Sequence, residues 1–342
     1  MTRRRRQLRL AGPAALLCLA IVAIFIASAG STSSSKGRGS GSHTHAARPS
    51  GGPAAVAPEL RQRRIGTLAA SLQDAAAVSL GTGRLVLLGG LDSSDTSIGA
   101  ITVIAAGQTE SAGELPEVQH DAQGANLEGQ VYVFGGGQFS SYDHILRYQP
   151  GNDRVSLVGR LPQPASDVAV ATIGSTAYIV GGYNGEVALD MILAWQPGSA
   201  PRIVGRLPAG LRYAAVAASG SKVIIAGGST ETGTSRTILS FDPATGQVTQ
   251  IGSLPQPLTH SSAASLDGAV YVIGGRGSAP GSQTSAILAI DPNSGRVRRV
   301  GTLAQPLSDA ATAIEGGHII LAGGQSATGT QSSIFELAPK AG

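Results

Sequence analysis

The chain has 342 residues, with 48 glycines, 18 prolines, 42% hydrophobic and only 13% charged residues. This composition suits short strands joined by turns and is ample for a core. The formal net charge of +4 is unevenly placed: residues 1–50 hold eight basic residues and no acid, so 17 basic and 21 acidic residues remain beyond them, a balance of −4. That excludes nucleic acid as an expected partner of the main body.

In chain order, residues 1–9 are a basic segment read as cytoplasmic. Residues 10–29 (Leu10–Ala29) are charge-free and span about 30 Å as a helix, enough for a hydrocarbon core. The arginines before them put that side in the cytoplasm and everything after it outside. The segment reads as a retained transmembrane signal anchor. The alternative is a signal peptide cleaved after Ala27-Ser28-Ala29, giving a secreted protein. A lipoprotein fits less well, because Leu17 precedes Cys18 where a small residue is expected. Residues 30–57 form a Ser/Gly/Pro linker, expected to be disordered, whose His43 and His45 read as surface histidines rather than metal ligands. Cys18 is the one cysteine, so residues 58–342 can form neither a disulfide nor a zinc-thiolate site nor use a cysteine nucleophile.

Residues 58–342 are periodic. An apolar run ending in Gly-Gly recurs with its first glycine at Gly89, Gly135, Gly181, Gly227, Gly274 and Gly323. A Gly-x-Leu phrase, often followed by Pro, keeps the same beat from Gly66, Gly113, Gly159, Gly205, Gly252 and Gly301. A third phrase is an apolar run before proline, as in ILRYQP to Pro150, ILAWQP to Pro197 and ILSFDP to Pro243. A period of this length denotes one supersecondary unit that buries its apolar face against the next. The succession of phrases resembles the kelch repeat, and the resemblance covers residues 59–340.

The kelch resemblance implies an all-β, six-bladed propeller of four-stranded antiparallel blades, preceded by the N-terminal transmembrane or signal helix. In the second unit the strands are expected over Ala122–Leu127, Gln130–Phe134, His144–Tyr148 and Arg154–Val158. The innermost strands, such as DVAVATI and YAAVAAS, carry small side chains suited to crowding around an axis. The last repeat is one strand short, and the orphan Arg64–Leu68 matches a fourth strand, so the N-terminal strand should complete the last blade and hide its edge. Kelch repeats usually carry Tyr on the third strand and Trp on the fourth. Here the third-strand column is Ile104, Tyr148, Trp195, Phe241, Ile290 and Leu337, and Val155, Val248 and Val297 stand on the fourth.

Tight hairpins on one face leave the variable loops on the other, where function is expected. Eight residues after each repeat glycine stand Asp74, Asp121, Asp167, Tyr213, His260 and Asp309, expected to ring one mouth of the central channel. One position earlier stand Gln73, His120, Ser166, Arg212, Thr259 and Ser308. Two readings apply: each Asp caps its own turn by accepting backbone amides, or the carboxylates form a shared ring for a cation or a polyol. The loops after the double glycines add Phe139, Tyr142, Asp143, Tyr183, Asn184, Glu231 and Arg276, where aromatics beside amides and carboxylates suit sugar or peptide binding.

No phosphate-binding loop or catalytic triad is identifiable, and no catalytic residue or cofactor is assigned. Copper-radical oxidases share the kelch superfamily but need a Cys–Tyr crosslink that residues 58–342 cannot supply. The expected activity is that of a binding module for cell-surface glycans or envelope proteins. The alternative that the resemblance allows is a sugar mutarotase using Asp121, His120, Arg212 and His260 as acid–base groups.

Overall fold

A computed structural model of the chain describes residues 57–279 and 281–340. The basic segment, Leu10–Ala29 and most of the linker lie outside them. Among the described residues no helix is long and apolar enough to cross a membrane.

Six four-stranded antiparallel sheets follow one another. The second blade, from the axis outward, is Gln123–Leu127, Gln130–Phe134, His144–Gln149 and Arg154–Arg160. These bounds fall within one or two residues of the sequence expectation. The sixth blade takes its first three strands from Ala311–Glu315, His318–Ala322 and Ser333–Pro339, and its outermost from Leu60–Thr67 at the other end of the described chain. Leu60 pairs with Pro339 and Thr67 with Ser333, so the ring is closed by antiparallel pairing as expected.

The core has six parts, one between each pair of adjacent blades. The period of two explains why. In the second strand of blade one (Arg84–Leu88), Val86 and Leu88 pack with Val131, Val133 and Tyr148 of blade two. Leu85 and Leu87 point the other way, into a cluster with Ile320, Ala322 and Ile334 of blade six. A strand buried on both faces must be apolar at every position, which is the run that precedes each double glycine. Tyr148, Trp195, Phe241, Ile290 and Leu337 are all buried, and Val155, Val248 and Val297 pack against the same clusters. The third-strand column thus fills its slot with side chains of varied size. All six clusters are built within the compact unit Gly52–Gly342, so the propeller carries a complete core without the residues before it.

The double glycine has a definite task. Gly135 has φ +61, and a Cβ on it would stand 2.0 Å from the Ala165 carbonyl oxygen. That carbonyl belongs to the connection into the third blade and accepts the Gly136 amide at 2.9 Å. The first glycine therefore admits a carbonyl that the second binds. The same bond recurs as Gly182 to Leu211, Gly228 to Leu258, Gly275 to Leu307 and Gly324 to Leu72, the last across the ring closure.

Candidate binding site at the channel mouth

The six residues of the predicted mouth form a ring. Asp74, Asp121, Asp167, Tyr213, His260 and Asp309 all adopt φ between 54° and 59°. Each amide donates to the carbonyl of the equivalent residue one blade back: Asp121 to Asp74 at 3.1 Å, Asp167 to Asp121 at 2.9 Å, Tyr213 to Asp167 and His260 to Tyr213 both at 3.2 Å, Asp309 to His260 at 3.0 Å, and Asp74 to Asp309 at 3.0 Å. A closed belt of six main-chain bonds therefore encircles the channel. Its left-handed backbone suits Asp and His, which tolerate that region, and is less natural for Tyr.

The turn-capping reading of the aspartates is corrected here. Among the described residues none of the four carboxylates accepts a backbone amide. Their amides and carbonyls are spent in the belt, and the side chains face a cavity of about 160 Å³ on the axis. Burial, then repulsion from neighbouring carboxylates, raises Asp74 and Asp121 well above the ordinary carboxylate value. Asp309 is raised by burial, against a hydrogen bond from Ser308 Oγ at 2.5 Å. Asp309 beside Asp74 and Asp167 beside Asp121 are the neighbouring carboxylates that add most to burial in raising the two groups.

The other two members are set apart. The Tyr213 and His260 rings stack at 3.7 Å and 24°. Arg212 Nε lies 2.6 Å from Asp167 Oδ2, and its guanidinium lies over Tyr183 at 4.4 Å and over Tyr213 at 4.7 Å. Tyr213 donates to Asp121 Oδ2 at 3.2 Å, and burial, then the nearby carboxylates, raises its phenol. Arg276 Nη2 donates to His260 Nε2 at 3.0 Å. Burial, then Arg276 and Arg212, hold His260 down to about 3, so it is neutral at ordinary pH. Burial also lowers His120, whose Nδ1 meets Ser97 Oγ at 2.9 Å and whose Nε2 lies 3.6 Å from Asp121.

The residues one position before the ring do not line the axis as a set. Gln73, His120, Ser166, Arg212, Thr259 and Ser308 each form an isolated bridge to the residue following a double glycine, from Leu91 round to Gln325. Those bridges bring the variable loops over the inter-blade connections. Of the loop residues, Phe139 is 96% exposed and makes no stacking contact. Tyr142 donates to the Val118 carbonyl at 3.3 Å and lies against His144. Asp143 pairs with Arg160 at 2.5 Å. Tyr183 donates to Gly185 O, and Asn184 caps its own loop by accepting the amides of Glu186 and Val187. Glu231 is exposed beyond the groove described next.

The structure adds a feature that the sequence reading lacked. The loop of blade four folds into a small hairpin, Ser229–Thr230 with Gly233–Thr234. It walls a groove of about 410 Å³ with Arg212, Tyr213, Thr259, His260, Arg276 and Ser278. The STETGTS segment signals it only as a Gly-containing run of β-branched residues. The groove presents hydroxyls from Ser229, Thr230, Thr234, Thr259 and Ser278 between two guanidiniums. Arg212 is neutralised by Asp167, whereas Arg276 has no carboxylate within ion-pair distance among the described residues. Among those residues no group of three or more His, Cys, Asp or Glu side chains is arranged to hold a metal ion.

Residues 210–255, the connection into blade four and that blade, match the family model described as Kelch motif. Blade four thus carries a Kelch motif within a six-bladed propeller. No curated protein matches the sequence. Among solved structures the propeller is similar to one titled "Structure of YjhT", with a TM-score of 0.69 at 14% identity, covering 79% of this chain and 96% of that one. At such identity the likeness concerns the fold, and 933 matching solved chains share it too widely for it to specify an activity.

Proposed function

We propose that this kelch propeller is an exported, membrane-anchored binding module that takes glycans on its loop-rich face, in the groove over blades four and five. The observation that carries the reading is that groove: about 410 Å³, within the size range of small-ligand sites, with five hydroxyls and the Arg276 guanidinium converging on it. Such a lining matches the hydroxyl-rich surface of a sugar, and the cation favours acidic ones. The notion of export rests on the N-terminal sequence alone.

The mutarotase reading draws on Asp121, His120, Arg212 and His260 at the mouth as acid–base groups. It is the weaker one. A general base works best with a pKa near the operating pH, and His260 sits near 3.

Calorimetric titration of residues 52–342 with neutral and acidic sugars tests the proposal. We expect binding that falls about tenfold or more in Arg276→Gln, the loss of a charged hydrogen bond, and is unchanged in Phe139→Ser. The opposite pattern would move recognition to the exposed phenylalanine of blade two and to a protein partner. No heat with any sugar would overturn the glycan reading.

A further inference from the structure

The outermost strands of blades five and six are the most basic of the six; those of blades two and three carry two arginines each, of which Arg160 and Arg206 pair with Asp143 and Asp190. Leu60–Thr67 carries Arg61, Arg63 and Arg64, and Val297–Thr302 with the residue before it carries Arg296, Arg298 and Arg299. All six are exposed, and neither strand contains an acid. The outermost strand of blade one, Gln108–Glu114, instead carries two glutamates, and that of blade four, Gln247–Ser253, no charge.

The two basic strands are neighbours. Leu60 and Val300 share one core cluster, and the Gln62 side chain accepts the Ala304 amide at 2.6 Å. Between them runs an open groove of about 730 Å³ lined by Arg61, Arg64, Arg299 and Lys340. Glu59 also lines it and pairs with Lys340 at 3.3 Å, and Glu336 pairs with Arg63 at 3.0 Å. Among the described residues the other five arginines have no carboxylate within ion-pair distance.

This concentration stands on a body whose balance beyond residue 50 is −4. Net charge therefore repels an anionic surface while this rim attracts one, so contact is oriented. The chain enters the propeller at the same place: Arg298 donates to the carbonyl of Ala57, the first described residue.

We propose that the rim of blades five and six docks on an anionic phospholipid surface, holding the loop-rich mouth to one side of the contact. Charge complementarity and the point of chain entry select a lipid surface over an acidic protein. The proposal rests on the reading of Leu10–Ala29 as a membrane segment only for where the bilayer lies; the patch itself lies wholly in the propeller.

Residues 52–342, which contain the complete core, are sedimented with vesicles of phosphatidylcholine, with and without phosphatidylglycerol. Binding is expected only to the anionic vesicles, and it should vanish near 1 M salt, where the screening length is about 3 Å. The triple variant Arg61→Gln, Arg296→Gln, Arg299→Gln should bind at least about tenfold more weakly. The control Arg154→Gln, Arg202→Gln, on the outer strands of blades two and three, should bind as the parent does. Equal binding to neutral vesicles, an undiminished triple variant, or no binding by the parent would each overturn the proposal. Retention of the full chain in vesicles at high salt reports on the anchor separately, so failure of the patch and failure of the anchor are distinguishable.

Discussion

At the residue scale the ring of the mouth makes opposing demands on pH. Asp74, Asp121 and Asp309 are raised, so the folded state holds protons that the unfolded chain releases above about 3.8. Their contribution is complete below that value and is lost as pH rises through the folded values. His260, held near 3, acts in reverse: its contribution is present above 6.5 and fades as pH falls toward 3. Asp74→Asn keeps a residue that tolerates φ 54 and removes a buried like charge. It should raise the thermal midpoint at pH 7, by about 2–4 °C for each kcal/mol gained, and flatten the pH dependence on the alkaline side. A lower midpoint would contradict the cost of burying Asp74 among the other carboxylates. Gly135→Ala should cost about 3 kcal/mol or more in urea unfolding, since it adds a backbone collision to a left-handed φ. Gly129→Ala, at φ +78 with open space around its Cβ position, should cost only about 1–2 kcal/mol. Similar losses at both would remove the carbonyl contact as the reason for the double glycine.

At the element scale the strand Leu60–Thr67 decides whether the ring closes. Without it, Ser333–Pro339 presents an unpaired edge, and the inner face of Leu337 loses Leu60 from its cluster. Removing residues 1–68 should therefore give aggregates in size-exclusion chromatography, whereas removing residues 1–51 should leave a monodisperse propeller. A monodisperse species from both would show that the closure is dispensable.

Strands and blades were legible in the sequence because burial on both faces forces unbroken apolar runs, and the Gly-Gly requirement is absolute in space. The position of the mouth was legible from its constant offset. What the aspartates do there was not: a left-handed Asp in a belt and an Asp that caps a turn give the same residue at the same spacing. The groove over blades four and five was hidden for a different reason. It is made by Arg212, Ser229, Thr259 and Arg276, which lie on two connections and two loops, and no local pattern links them. The charged rim was equally hidden, since Arg64 and Arg299 are neighbours only through ring closure.

At the scale of the whole molecule the propeller is polar in two senses. Hairpins crowd one face and variable loops the other, while the rim carries its densest arginines over blades five and six, fewer over blades two and three, and glutamates over blade one. The proposed ligand groove and the proposed docking rim therefore lie on different sides of the propeller. The measurement that tests the central claim most directly is amide hydrogen exchange of residues 52–342, followed by mass spectrometry, with and without a saturating sugar. The account predicts slowed exchange in the segments carrying Arg212–Tyr213, Ser229–Thr234, Thr259–His260 and Arg276–Ser278, with Phe139–Tyr142 unchanged. Protection confined to the loop of blade two, or none at all, would contradict it.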